Sequence, residues 1–188
     1  MPEPTTSWPL VLVRHGESTW NDLKLVQGQS NVALLTERGR TQARAVGVTL
    51  SHQEFDTILS SDLSRALETA EILGESLNLS VETSLALRER SFGLFEGRPL
   101  AQLTPSLSGI ERGRVVDDLA HPEQGESLSA LLERTGEFVE ELRTSRPGQR
   151  LLLVTHGGTI RAIRAFCAGV TMMDLPWDRV DNCSVWSA

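Results

Sequence analysis

Apolar positions along this chain fall into two rhythms. Residues 10–13 (LVLV), 55–61 (FDTILSS) and 151–154 (LLLV) contain short apolar runs, the pattern of strands buried on both faces. Between them the spacing turns helical. Residues 37–50 carry Ala43, Val46 and Leu50 on one side, behind Thr36 in an N-cap position and Glu37 in the first turn. Residues 62–77, opened by Asp62, place Leu63, Ala66, Leu67, Ala70 and Leu73 on one stripe. Two more helices are expected over 126–145, ended by RPGQ, and over 158–169. Residues 79–87 read as a further strand and 182–188 as an edge strand. From 91 to 124 no period holds, and scattered Gly and Pro point to an insertion folded over the domain, with room for a short helix.

Strands alternating with helices predict an α/β fold with a largely parallel sheet covered on both faces. A length of 188 residues fits one domain, 1–188, with the insertion as a lid. The net charge of −7 argues against non-specific nucleic-acid binding, which needs a basic face, but leaves a locally positive pocket open. No apolar run approaches the roughly 20 residues of a membrane helix, and MPEPTTSWP has neither the basic nor the apolar part of a signal peptide. Cys167 and Cys183 lack metal-ligand spacing and read as buried thiols of a reducing compartment, so a cytoplasmic protein is expected. Lys24 is the only lysine. The other basic residues are arginine, whose planar fork suits phosphate.

Two stretches share a design. LVLVRHGES at 10–18 and LLLVTHGGT at 151–159 each end an apolar run in a histidine followed by glycine. In α/β sheets ligands gather beyond the carboxyl ends of the strands, where both histidines fall. The glycine lets the backbone approach a ligand, and after THGGT a helix N-terminus offers free N–H groups to an anion. With Arg14 beside His15, the two tips point to phosphate chemistry. Zinc is the competing use of two histidines, but no HxxxH spacing exists and Arg14 would repel a cation. No GxSxG elbow and no GxxxxGK[ST] loop is found, and His52 and His121 read as structural or surface residues.

RHGESTWN at 14–21 resembles the signature of the histidine phosphatase superfamily, the phosphoglycerate mutase-like proteins. QGQSN at 27–31, SSDLSRALETA at 60–70, LRERSFGLFEG at 87–97, GES at 125–127 with Arg134 beyond it, and VTHGGTIRAI at 154–163 follow in the family's order. The resemblance implies a three-layer α/β/α sandwich. It implies His15 as a nucleophile that becomes phosphohistidine, Glu89 as proton donor, and Arg14, Arg65 and His156 around the phosphate. Asn21 and the Gly157 N–H would be further donors, with Ser18, Gln27, Gly28 and Arg90 as substrate contacts. No metal and no cofactor is implied. The stretch QGQSNVALLT departs from the family pattern by lacking a proline and by one extra residue, which touches the loop at Gln27 and Gly28.

Charge neutralisation by two arginines and a second histidine is what an anionic phosphate ester requires. His15 needs a partner that holds its proton on one nitrogen, a task a backbone carbonyl in the turn can fill. To serve as an acid, Glu89 must be free of its neighbours Arg88 and Arg90, so both should point away from it. Arg65 sits poorly for a cation near a helix N-terminus, which favours phosphate over a salt bridge to Asp62 or Glu68. The expected activity is hydrolysis of small phosphorylated metabolites, of sugar phosphate or phosphoglycerate type. Phosphoglycerate mutase is the alternative, and a binding module without catalysis a third reading. The insertion offers only Arg98, Arg112 and Arg114 as cations, and GLFEG at 93–97 resembles the phosphatase branch, both favouring hydrolysis over mutase chemistry. Leu100, Leu103, Leu107 and Ile110 stand open as lid packing or as a substrate wall. A homodimer through the tail strand and a shortened C-terminus also stay open.

Overall fold

The computed structural model describes residues 10–112, 114–175 and 178–188. In chain order these form β1 (Leu10–Arg14), α1 (Thr19–Asp22), α2 (Glu37–Leu50), β2 (Thr57–Ser60), α3 (Ser64–Leu77) and β3 (Val81–Thr83). There follow α4 (Pro105–Ser108), β4 (Ile110–Glu111), β5 (Arg114–Val115), α5 (Leu128–Ser145), β6 (Leu151–Thr155), α6 (Gly157–Ala168) and β7 (Val185–Ser187). The main sheet runs β3-β2-β6-β1-β7, parallel except for β7, which closes one edge antiparallel to β1.

The apolar runs are continuous because both faces of the sheet are covered. Along β6, Leu151 and Leu153 enter a cluster with Phe138, Val139 and Leu142 of α5 and Ile160 and Ile163 of α6. Leu152 and Val154, pointing the other way, join Ala43, Val46 and Leu50 of α2 and Ala66, Ala70 and Leu73 of α3. Strand alternation thus assigns one residue to each layer in turn. The fold is a mostly parallel five-stranded sheet flanked by helices on both faces, the α/β/α sandwich expected.

Helix boundaries follow local chemistry. Thr36 caps α2 by accepting the Gly39 N–H at 3.0 Å, and Ser127 caps α5 through the Ala130 N–H at 3.1 Å. The expectation that Asp62 opens a helix is corrected. The helix starts at Ser64 without a side-chain cap, because the Asp62 carboxylate is bound by the Arg88 guanidinium, Nε to Oδ1 at 2.7 Å. The strand expected over 79–87 is shorter: β3 gives way to a 3-10 turn over Leu85–Leu87. Within 91–124 lie further 3-10 turns, α4 and the β4–β5 ribbon. Both cysteines are free thiols, Cys183 buried and Cys167 only partly so. No helix among the described residues is long and apolar enough to cross a membrane.

Candidate active site

β1 and β6 pair in parallel with Arg14 opposite Thr155. The next residue of each strand therefore leaves the same sheet edge, and those residues are His15 and His156. The His15 N–H donates to the Thr155 carbonyl at 2.9 Å. Both imidazoles are buried, with ring centroids 5.1 Å apart and planes tilted by 59°.

Each ring has an assigned proton. His15 Nδ1 lies 2.7 Å from the Gly16 carbonyl, which only accepts, so Nδ1 carries the hydrogen and Nε2 keeps its lone pair. His156 Nε2 lies 2.9 Å from the Ser61 hydroxyl, which itself accepts the Leu63 N–H at 3.3 Å. The hydroxyl still has its own proton to give, and donating it to Nε2 corresponds to the tautomer that carries the His156 hydrogen on Nδ1. That buried atom has no partner among the described residues.

Arg14 and Arg65 complete the cluster. Arg14 donates through Nη1 to the Val180 carbonyl at 2.6 Å. Arg65, fully buried, donates to the carbonyls of Ser30 at 2.9 Å and Gly28 at 2.7 Å. The Nε of each is buried and unpartnered among the described residues, like His156 Nδ1. Burial, then the charges of Arg65 and Arg14, holds the His15 imidazole well below its ordinary value of 6.5. Burial, Arg65, His15 and Arg14, in that order, do the same to His156. Arg65 is itself pushed down to about 10, chiefly by burial, and stays a cation at neutral pH. Three buried N–H donors and one neutral imidazole lone pair therefore share one cluster. An unpaired buried donor is costly, and a bound anion relieves that cost.

α6 supplies the opposite side. Its N-cap is His156, and Gly157 begins the helix. The Gly158 N–H donates to Glu89 Oε2 at 3.0 Å, and the Arg90 N–H donates to Oε1 at 2.9 Å. Arg88 is committed to Asp62, as expected, and the Arg90 guanidinium is bonded to backbone carbonyls and forms no ion pair with Glu89, though it remains close enough to feel that charge. Arg134 of α5 holds the backbone before Glu89. It forks onto Glu126 with two contacts of 2.9 Å and reaches the Ala86 carbonyl at 2.7 Å.

Asn21 lines a cavity of about 480 Å³ that also meets Arg14, Glu89, Gly157 and Gly158. Its Oδ1 accepts the Ser18 N–H and the Asn182 Nδ2, both at 3.1 Å, which fixes the amide and leaves its NH2 group as a donor. Other expected contacts are placed differently. Ser18 is the buried N-cap of α1, and its hydroxyl donates to Gln27 Oε1 at 2.7 Å. Gly28, at φ +50, gives its carbonyl to Arg65. These three residues build the wall that holds Asn21 and Arg65. Arg90 borders the same cavity and also braces the chain around it. Its guanidinium is bonded to the carbonyls of Glu126 at 2.6 Å, Ser108 at 2.5 Å and Ala120 at 2.5 Å, and burial pushes it down to about 10.

Sequence reasoning missed Ser61, Thr69 and Asn182. Ser61 follows β2 at the same carboxyl edge as the histidines, so the rule that found them would have found it. Thr69 accepts the Gly16 N–H at 3.0 Å and donates to the Arg65 carbonyl at 2.7 Å, tying the turn after His15 to the helix that carries Arg65. Asn182 also donates to the His15 carbonyl at 3.0 Å, a contact across 167 residues that no local pattern marks.

The sequence matches the family described as Histidine phosphatase superfamily (branch 1) over residues 10–187. The chain belongs to that superfamily. It is 34% identical over 182 residues to the protein named Probable phosphoglycerate mutase GpmB of Yersinia pestis, covering 93% of this chain and 81% of the relative. Among solved structures, mycobacterial glucosyl-3-phosphoglycerate phosphatase in complex with VO3 superposes with a TM-score of 0.82 at 34% identity, over 94% of this chain and 88% of that one. Phosphoserine phosphatase from Entamoeba histolytica, at 24% identity and a TM-score of 0.81 over 94% and 87% of the two chains, shares the fold. The chain is thus an enzyme of the histidine phosphatase superfamily.

Proposed function

We propose that this enzyme is a metal-independent phosphomonoesterase for small phosphorylated metabolites, working through a phosphohistidine on His15. The observation that carries the reading is the gathering of three unpartnered buried donors, Arg14 Nε, Arg65 Nε and His156 Nδ1, around His15 and its unprotonated Nε2. These groups, with the Asn21 amide and the Gly157 N–H, bind the phosphoryl oxygens. Nε2 of His15 attacks phosphorus while the ester P–O bond breaks, and the leaving oxygen takes its proton from Glu89. Water then attacks the phosphohistidine, Glu89 takes a proton from that water, and the N–P bond breaks to release inorganic phosphate. The cationic cup acts electrostatically on both steps, being fixed in place before charge moves. The 91–124 segment serves as the lid over this site, and two free thiols fit a reducing compartment such as the cytoplasm.

The name of the Yersinia relative favours a second reading, phosphoglycerate mutase. A mutase must exclude water and hold its substrate's carboxylate with lid cations. Here Arg98 stacks on Phe95 at 4.9 Å, Arg112 and Arg114 are exposed, and none of them lines the cavity described above. A metabolite panel run with chelator decides between the readings. With 3-phosphoglycerate, release of inorganic phosphate supports the phosphatase and formation of 2-phosphoglycerate the mutase. Retention of either activity in His15→Ala contradicts both.

A further inference from the structure

The cavity above the cup has a polar rim of Arg161, Arg179, Asp181 and Asn182, and two further kinds of wall. Its floor holds Arg14, Asn21, Glu89 and Gly157, next to the reacting atoms. The wall made by the 91–124 segment and α5 presents Phe92, Leu100, Leu103, Ile110 and Leu128. Arg90 also borders the cavity, yet its donors are bonded to backbone carbonyls and brace the segment. Leu100 is 54% exposed, and Phe92, Leu103 and Ile110 keep part of their surface open. Packing of the lid against the core therefore leaves apolar surface facing the space where the alcohol half of a bound phosphomonoester must lie.

Resting on the proposed phosphatase reading, we propose that the enzyme prefers phosphomonoesters whose leaving alcohol carries an apolar face, an aliphatic chain or a ring, seated against Leu100, Leu103 and Ile110. The occupant follows from continuity. The apolar wall and the phosphate cup belong to one cavity, so a phosphoryl group in the cup directs its ester oxygen past Glu89 and its alcohol onto this wall. A three-carbon hydroxy acid must turn its carboxylate away from these side chains, toward the rim at Arg161 and Arg179, and gains nothing from the apolar wall. An alkyl or aryl group would release water from both surfaces.

A homologous series of n-alkyl phosphates from ethyl to hexyl separates binding from chemistry, since beyond the shortest members the leaving-group acidity is nearly constant along it. The matching n-alkylphosphonates report binding alone. We expect kcat/KM to rise about threefold to fourfold per added methylene over the first several, and phosphonate affinity to rise with the same slope. Leu103→Asn and Ile110→Asn, each checked for an unchanged melting transition, should flatten both slopes, while Val48→Asn on the exposed face of α2 should leave them intact. A flat series, or faster turnover of 3-phosphoglycerate than of hexyl phosphate, overturns the preference. If no phosphomonoester turns over, the phosphatase reading fails by itself, and the phosphonate slope still decides whether the wall recognises an apolar chain.

Discussion

His15 and His156 are buried beside two guanidiniums, and that placement sets their protonation. Their folded values lie well below 6.5, so in acid the unfolded chain binds protons that the folded chain refuses. The sign follows: stability is full above pH 6.5 and falls as pH drops below it toward the folded values. Each histidine contributes a slope of up to about 1.4 kcal/mol per pH unit in that window. Denaturant titrations at pH 7.5 and 5.5 should show a smaller acid loss in His156→Gln than in the parent, and equal losses would contradict the account. Asn182 belongs to the same scale. Asn182→Asp removes the donor that fixes the Asn21 amide and sets a carboxylate against its Oδ1. The KM and the inhibition constant for inorganic phosphate should rise together by about tenfold, the cost of one charge-assisted hydrogen bond, with a smaller change in kcat. An unchanged inhibition constant would remove Asn182 from the positioning of Asn21. The histidines were legible in sequence because a strand run followed by glycine is a local pattern. Asn182 was not, because its role exists only once the tail folds back over β1.

Element-scale behaviour centres on the first turn of α6. A Cβ added at Gly158 would collide with Glu89 Oε1, so alanine there must push the carboxylate out of the position from which the proposed mechanism has it act. In a helix alanine is favoured over glycine by about 1 kcal/mol. Gly158→Ala should therefore keep or raise the melting temperature while lowering kcat by about tenfold to a hundredfold, near the worth of a displaced general acid. Full activity in a well-folded Gly158→Ala would contradict the placement of Glu89. The main elements followed from sequence because period 2 and period 3.6 are local properties. The start of α3 did not. Asp62 has the right chemistry for a cap, but Arg88, distant in sequence, takes its carboxylate. The 91–124 segment was legible only as irregular, since its conformation is held by Arg90 reaching carbonyls of residues 108, 120 and 126.

At the scale of the whole molecule, an acidic protein of net charge −7 encloses a small cationic site, so anion recognition rests on local geometry and not on the overall field. Inorganic phosphate, filling unpartnered donors of the native state only, should raise stability by about 2.7 kcal/mol at a hundredfold excess over its dissociation constant. A thermal melt insensitive to phosphate would mean that the donors do not form one anion site. Sandwich architecture and the meeting of residues 14, 15, 65 and 156 were both implied by sequence, the first by alternation of strands and helices, the second by motif resemblance. The hydrogen bonds that tie Ser18, Gln27, Gly28 and Arg90 to their neighbours needed three-dimensional contacts. The central claim is that the phosphoryl group passes through His15. Rapid quenching of the enzyme with excess substrate, followed by mass spectrometry of the peptide containing residue 15, tests it most directly. The account predicts an acid-labile, alkali-stable phosphoryl group on His15 that forms and decays at rates compatible with turnover and is absent from His15→Ala. Steady turnover by enzyme that never carries phosphate at residue 15, or its appearance on another side chain, would contradict it.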